Sequence, residues 1–423
     1  MKFSSFGATD VGLKREHNED SFVINDDLQL YIVCDGMGGH AAGEVASKMA
    51  IEQITAYCEK HKAVFQNYKK TPSLENRQKV LAAVDEAIQV ACKTIYKLAQ
   101  DDPTKKGMGT TVVMMVVMGT NAVMAHVGDS RIYLLRGGEI HQLTEDHSLV
   151  AEQLRKGFIT PEEAARSPYA NVITRAVGFQ EFVQVDTLNF ELQHGDKYLL
   201  CSDGLSGYFR GDEFKALAER FADEDLPAQF INLANARGGK DNITVILLSF
   251  EEEAVPETAL TAQKKLMALK HIPLFRYLTY KELIKLLNIV TLTSYKREET
   301  IIEEDTLGDE MYVLLTGAVR VVKQGHLITE LKRGSFFGEM GLIDKAPRSA
   351  SIIANDDSKL MVIRRQKFYP LLRQEPQMAV KLLWSFVQVL NQRLRETNEQ
   401  LKGAKSQLQD LEDEHAFLFT EGE

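Results

Sequence analysis

The run Leu30-Tyr31-Ile32-Val33-Cys34 is apolar from end to end and stops at Asp35-Gly36-Met37-Gly38-Gly39-His40, beyond which Ala41-Ala42-Gly43-Glu44-Val45-Ala46 reads as the start of a helix. Such a stretch predicts a buried strand that delivers a carboxylate to its tip. Glycines at that point let backbone carbonyls approach a ligand closely. Carboxylate and carbonyl oxygen together form the donor set of a hard divalent cation, which makes Asp35 the first candidate metal ligand. An Asp-Gly pair after a strand is also an ordinary turn, so the reading depends on what accompanies it.

The layout recurs. Leu199-Leu200-Cys201-Ser202-Asp203-Gly204 is again an apolar run ending in Asp-Gly, and Asp241 in Gly239-Lys240-Asp241-Asn242 stands just before the apolar Ile243-Thr244-Val245. Glu19 and Asp20 open another strand-like stretch, and Asp129 in Val127-Gly128-Asp129-Ser130-Arg131 lies between two β-patterned runs. Each of these segments puts a carboxylate at a strand boundary, where a fold can gather them at one end of a sheet. The set is rich in oxygen and has no ligating pair of Cys or His, which points to magnesium or manganese rather than zinc.

Taken in order, Arg-x-x-Asn-Glu-Asp (Arg15 to Asp20), Asp-Gly-Met-Gly-Gly-His (Asp35 to His40), Gly-Thr-Thr (Gly109 to Thr111), Val-Gly-Asp-Ser-Arg, Thr-x-Asp-His-Ser (Thr144 to Ser148), Ser-Asp-Gly and Gly-x-Asp-Asn resemble the bacterial form of the metal-dependent PP2C (PPM) serine/threonine phosphatases. The match covers roughly residues 1 to 250. It implies an α+β domain, a PP2C-like antiparallel β-sandwich flanked by helices. It also implies two metal ions, with Asp35 bridging both, the carbonyl of Gly36 on the second, and Asp203 and Asp241 on the first. By the same resemblance Asp20 and Glu19 hold metal-bound waters or ligate directly, and Asp129 joins Asp203 at a third ion. Arg15 then binds the substrate phosphate, and His40 is a general-acid candidate whose bland alternative is a structural turn histidine. His126, His141 and His147 read as packing or turn residues. None of the phosphatase motifs looks degenerate, which favours a live enzyme over a silent binding module.

The remaining composition narrows the setting. A chain of 423 residues invites more than one domain, and a net charge of -10 disfavours general attraction to nucleic acid or anionic membrane. The most apolar stretch, Gly109 to Val127, is interrupted at Gly119-Thr120-Asn121 and reads as two strands and a turn rather than a span. The start of the chain lacks a signal-peptide core. Four widely spaced cysteines, Cys34, Cys58, Cys92 and Cys201, read as reduced core thiols. A cytoplasmic protein is expected.

Along the chain, residues 3 to 34 give two β-patterned runs. Residues 44–57 and 74–98 give amphipathic helices. A meander over 111–143 predicts consecutive antiparallel strands. Residues 148–178 correspond to the family's mobile flap. A helix is expected over 211–221 and a linker over 251–264.

From residue 265 the character changes to a helical region over 266–287, followed by short glycine-punctuated strands that predict a β-roll. Phe336-Phe337-Gly338-Glu339-Met340-Gly341-Leu342, with Pro347-Arg348-Ser349-Ala350-Ser351, resembles the phosphate-binding cassette of cyclic-nucleotide-binding domains. That match spans about residues 265 to 390. Residues 338–342 can begin a short helix whose amides face an anion. Arg348 supplies a guanidinium to the cyclic phosphate, and Glu339 accepts from a ribose hydroxyl. Ser349 could meet a guanine amino group, which leaves cAMP and cGMP both open.

From Leu383 the apolar positions Leu383, Val387, Leu390, Leu394, Thr397, Leu401, Ala404, Leu408 and Leu411 step by fours and threes, the pattern of a parallel coiled-coil dimer over a long C-terminal helix. The expected function is dephosphorylation of a phosphoprotein under control of a cyclic nucleotide. The alternatives are a sensor with a silent phosphatase half and a phosphatase carrying a ligand-free interaction module.

Overall fold

The computed structural model describes residues 1–38, 42–169, 172–209, 211–251, 262–344 and 346–420. The chain divides into two compact units, Met1–Ala259 and Leu260–Glu423. Most of the expected linker lies outside the described residues.

The first unit is built on two antiparallel sheets. One orders the strands Phe3–Asp10, Ile243–Phe250, Lys197–Cys201, Arg131–Arg136 and Glu139–Gln142; the other orders Asp20–Asn25, Leu30–Met37, Val112–Met118, Asn121–Val127 and Asp186–Glu191. The sheets meet face to face, with Phe3 against Tyr31 and Phe190 against Tyr198 at ring separations of 6.0 and 5.5 Å. The helices Ala42–Lys60 and Leu74–Asp101 cover the outer face of the second sheet through Ala46, Ile54, Ile88 and Ile95. Gly211–Arg220 and Leu226–Ala236 cover the first through Phe214 and Phe230. Because both faces of each sheet are covered, strands such as Val112–Met118 are apolar at every position instead of alternating.

The structure departs from the sequence reading at several points. Residues 3 to 37 hold three strands rather than two, because Asp26 to Gln29 turns the chain between Asp20–Asn25 and Leu30–Met37. The meander is not one sheet. Val112–Met118 pairs with Asn121–Val127 and Arg131–Arg136 pairs with Glu139–Gln142, but the two hairpins belong to different sheets. Gly128 between them has φ +105°, and a Cβ there would stand 2.6 Å from the Thr111 side chain, so the buried turn carries the chain across the sandwich. The 148–178 segment contains two short helices, Leu149–Arg155 and Pro161–Ala165. The helix Leu226–Ala236 was not anticipated. The helical region expected over 266–287 consists of Ala262–Lys270 and Tyr280–Leu287, separated at the Pro273–Phe275 turn, with a capping box at Thr279 and Glu282 on the second.

A buried ion pair ties the sheets together. Arg136 meets Asp196 through Nε–Oδ1 at 2.7 Å and Nη2–Oδ2 at 2.5 Å, with the side chains 4% and 1% exposed. The same guanidinium donates to the carbonyl of Glu191 in the other sheet at 3.0 Å, and the Tyr198 hydroxyl and the Gln193 amide donate to Asp196.

The second unit is a β-roll. One sheet orders Thr291–Tyr295, Ser358–Arg364, Glu310–Thr316 and Phe336–Phe337; the other orders Thr300–Ile302, Ser351–Ala354, Ala318–Lys323 and His326–Lys332. Tyr312, Leu314, Val319, Phe337, Ile352 and Leu360 fill the space between them. The helix Pro376–Thr420 closes the unit; it buries Met378, Leu382 and Phe386 and leaves Leu383, Val387, Leu390, Leu394 and Leu401 exposed. Ala404, Leu408 and Leu411 of the expected seam fall outside the residues whose side chains are described. Among the described residues no helix is long and apolar enough to cross a membrane. The four cysteines are free and buried.

Asp196→Asn removes the charge that matches Arg136 while keeping the shape. The free energy of unfolding of the first unit is expected to fall by about 3–5 kcal/mol, read from denaturant melts.

Candidate functional sites

Strand ends place the carboxylates. Asp20 and Asp35 are direct cross-strand partners in the pairing of Asp20–Asn25 with Leu30–Met37. Asp203 begins a one-turn helix at the end of Lys197–Cys201. Asp241 precedes Ile243–Phe250. Asp129 sits in the turn that crosses between the sheets. The Asp35 and Asp203 carboxyls are hydrogen-bonded to one another.

The electrostatics of the cluster follow from this crowding. Burial, reinforced by Asp203 and Asp241, pushes Asp20 up to about 7. Burial, with Asp203 and Asp146, does the same to Asp129. Burial and the neighbouring aspartates raise Asp35 well above the usual carboxylate range, and Asp203 is raised for the same reasons. A group of buried acids that oppose one another's ionisation is short of positive charge. Arg15 supplies part of it, donating from Nη2 to Asp241 Oδ2 at 2.7 Å. Asp20 Oδ1 is buried with no hydrogen-bond partner. An all-oxygen set with an orphaned buried oxygen fits hard divalent cations.

A network of hydroxyls and amides fixes this geometry. Ser202, fully buried, donates to Asp20 Oδ2 at 2.7 Å and accepts from the Thr244 amide at 3.0 Å. Thr244 opposes the upward shift of Asp20, and its hydroxyl shares a 2.7 Å hydrogen bond with the Thr9 hydroxyl. Asp20 is therefore held through Oδ2 by Ser202, and Oδ1 is left open. Asn242 accepts from the Glu19 amide at 2.8 Å and donates to the carbonyls of Val11 and His17 at 2.9 Å each, which latches the loop carrying Arg15 to the strand carrying Asp241. Below Asp35, its amide donates to Thr111 Oγ1 at 3.0 Å and its carbonyl accepts from Thr110 Oγ1 at 2.9 Å. Ser202 and Thr244 were missed in the sequence. Their only signal was adjacency to Asp203 and placement two residues after Asn242.

Glu19 is placed differently from Asp20. Its carboxylate accepts from the Gly43 amide in the first turn of Ala42–Lys60, and burial raises it while Arg15 opposes the shift. Gly36 lies against this turn, and a Cβ on it would come within 2.1 Å of the Gly43 carbonyl. His40 lies outside the described residues.

His126, His147 and Asp186 also bring ligating atoms within 4.8 Å of one another. The two imidazoles, however, are stacked at 4.6 Å with planes 15° apart, so their in-plane lone pairs run in nearly parallel planes instead of converging. Arg175 contacts both His147 Nε2 and Asp186 Oδ1 at 3.1 Å. The group is a buried joint between the 143–175 segment and the second sheet.

In the second unit Gly338 has φ +72°, and the short helix is Met340–Ile343. The amides of Gly341 and Leu342 are spent on turn bonds to the carbonyls of Gly338 and Glu339. Met340 and Ser349 are exposed, whereas Gly341 and Leu342 are buried. Arg348 is only 8% exposed and donates to the carbonyls of Gly338 at 3.1 Å and Glu310 at 2.9 Å. Its guanidinium is surrounded by glycines, and a Cβ on Gly308 would stand 2.4 Å from it. Glu339 is buried and ion-paired with Arg393 of the C-terminal helix.

A model of the protein phosphatase 2C family matches residues 14–243, and a model of the cyclic nucleotide-binding domain matches residues 292–375. The chain is 40% identical over 245 residues to the serine/threonine phosphatase stp of Listeria monocytogenes, covering 57% of this chain and 93% of that protein. It is 37% identical over 254 residues to protein phosphatase PhpP of Streptococcus pneumoniae, covering 58% and 96%. Among solved structures, the serine/threonine phosphatase PstP/Ppp of Mycobacterium tuberculosis aligns with a TM-score of 0.52 at 34% identity, over 59% of this chain and 99% of that one. A catalytic domain of PstP in complex with two manganese ions aligns with a TM-score of 0.50 at 33% identity, over 59% and 99%.

Removing the hydroxyl that holds Asp20, by Ser202→Ala, is expected to weaken manganese binding about 10- to 100-fold by calorimetry. Unchanged manganese affinity in that variant would show that the hydroxyl does not position this carboxylate.

Proposed function

The chain belongs to the protein phosphatase 2C family, and from that membership we propose that it hydrolyses phosphoserine and phosphothreonine in proteins under the control of a cyclic nucleotide bound to its C-terminal unit. The observation that carries the catalytic reading is the buried set Asp20, Asp35, Asp129 and Asp203, whose ionisation is mutually opposed. Divalent cations, manganese or magnesium, supply charge neutralisation and an activated water for in-line attack at phosphorus when bound there.

This chain's residues do the rest. Asp35, Asp203 and Asp241, with the Gly36 carbonyl, hold the ions, and Asp129 with Asp203 holds a third. Asp20, held through one oxygen by Ser202 and open at the other, would orient what the ions carry, and Glu19 steadies the adjoining helix turn. Arg15, tethered through Asp241 at the rim of the cluster, receives the substrate phosphate. His40 is assigned the proton delivered to the leaving serine or threonine oxygen.

The catalytic part is assigned to residues 1–250, joined by 251–264 to a sensor over 265–390 and a helix over 391–423. Residues 338–342, Arg348 and Ser349 form the nucleotide site, in which Arg348 exchanges its carbonyl partners for the cyclic phosphate. The free buried cysteines accord with a cytoplasmic setting. The exposed Leu383, Val387, Leu390 and Leu394 repeat at heptad spacing, and we assign them a second copy of the same helix in a parallel homodimer.

The test is the initial rate of phosphothreonine-peptide hydrolysis in manganese by the full chain. Asp35→Asn is expected to fall to background while remaining folded. For the native chain, cAMP or cGMP is expected to change the rate by several-fold to about a hundredfold, the span of a typical coupling of about 1–3 kcal/mol, and Arg348→Ala is expected to lose that response. Turnover that ignores both nucleotides would leave the phosphatase and remove the sensor.

Sedimentation at micromolar concentration is expected to show a dimer that Leu390→Glu, Leu394→Glu dissociates. Only monomer in the native chain would remove the assembly.

A further inference from the structure

In the second unit the acid expected to meet a ribose already has a partner. Glu339 is 6% exposed, and its carboxylate is paired with the Arg393 guanidinium, carried on the helix Pro376–Thr420. Arg393 also lies over the Phe336 ring at 5.5 Å, so the guanidinium is bracketed between an aromatic residue and the acid of the same loop. A buried carboxylate requires a donor, and a guanidinium is a stronger one than a neutral hydroxyl. A ribose hydroxyl that reaches Glu339 must therefore displace Arg393 or share the carboxylate with it.

We propose that Arg393 competes with the ribose for Glu339 and thereby sets how strongly the nucleotide site distinguishes ribose from deoxyribose. The inference rests on the reading of this unit as a cyclic-nucleotide sensor. Its logic is a thermodynamic cycle. A ribose ligand gains the hydroxyl-to-Glu339 bond but loses the Arg393 pair. A 2′-deoxy ligand gains nothing there and leaves the pair intact. In the native chain the two effects offset, so the 2′-hydroxyl contributes less than an isolated charged hydrogen bond would. The same exchange couples occupancy to structure, because ribose binding lets go of the helix turn around Arg393 and deoxyribose binding does not.

The experiment is calorimetric titration of the full chain with cAMP, cGMP and their 2′-deoxy analogues. It is done on the native protein, Arg393→Met, which removes the guanidinium while keeping an unbranched side chain, Glu339→Gln, and the double variant. Competition requires the ratio of deoxy to ribose dissociation constants to rise about three- to tenfold in Arg393→Met, and requires that rise to vanish in the Glu339→Gln background. A ratio that stays constant or falls in Arg393→Met means the carboxylate is shared, and overturns the proposal. A rise that persists without the Glu339 charge means Arg393 acts elsewhere, and overturns it equally. If the native chain binds none of the four ligands, the sensor reading itself fails, an outcome distinct from both. Hydrogen exchange supplies a second readout, with amides around residues 390–396 exchanging faster in the native chain with cAMP than with 2′-deoxy-cAMP.

Discussion

Like charge held out of water is the constraint around which the first unit is built. Carboxylates that are buried side by side resist ionisation, and a chain folds with them gathered only if other interactions hold the strands that carry them. The two-sheet core provides that support, with helices over both outer faces. The Arg136–Asp196 pair adds to it by fastening strand Arg131–Arg136 to the carbonyl of Glu191 across the sandwich. What the cluster lacks in positive charge is then available as binding energy for cations, so the electrostatic cost of the fold and the affinity of the site are the same quantity seen from two sides.

Geometry at the cluster depends on groups that carry no charge. Ser202 holds one oxygen of Asp20 and the other is unpartnered, and Asn242 ties the loop of Arg15 to the turn of Asp241. Backbone proximity does the remainder. A Cβ on Gly204 would stand 1.9 Å from the Asn242 carbonyl, so only glycine lets the Asp203 turn and the Asp241 turn lie against one another. Two aspartates far apart in the chain are placed by one missing methyl.

Asp35 and Asp203 were legible in the sequence because their signal is local, an apolar run, then a carboxylate, then glycine, whereas Asp20, Asp129 and Asp241 showed only as carboxylates at strand boundaries. Helices Ala42–Lys60 and Leu74–Asp101 were legible from their period, within a few residues at each end. The switch between sheets at Gly128 was not, since a buried crossing and a hairpin turn share the same residue types, and what separates them is Thr111, whose side chain crowds the glycine from the position just before Val112–Met118. Ser202 looks like an ordinary small polar residue until the strands pair, which brings its hydroxyl to Asp20 and the Thr244 amide to Ser202. Arg393 had no local mark at all among the polar residues of a long helix. Chemistry that depends on one segment can be read from one segment, and chemistry that depends on pairing needs the fold.

The two units solve the problem of a buried charge in opposite ways, and the difference bears on how each responds to a ligand. In the first, several buried acids face one another with Arg15 paired to Asp241 at their rim, so a bound cation relieves the repulsion among them. In the second, Arg348 is satisfied by the carbonyls of Gly338 and Glu310, and Glu339 by Arg393. A ligand there relieves nothing; it must trade existing bonds for new ones. Binding by exchange leaves a smaller net affinity than binding to unpaired groups, but each bond given up belongs to a protein segment that is then free to move. For the regulatory role proposed for this unit that is the useful arrangement, because differential contact between two states is the only means by which a ligand can shift their balance.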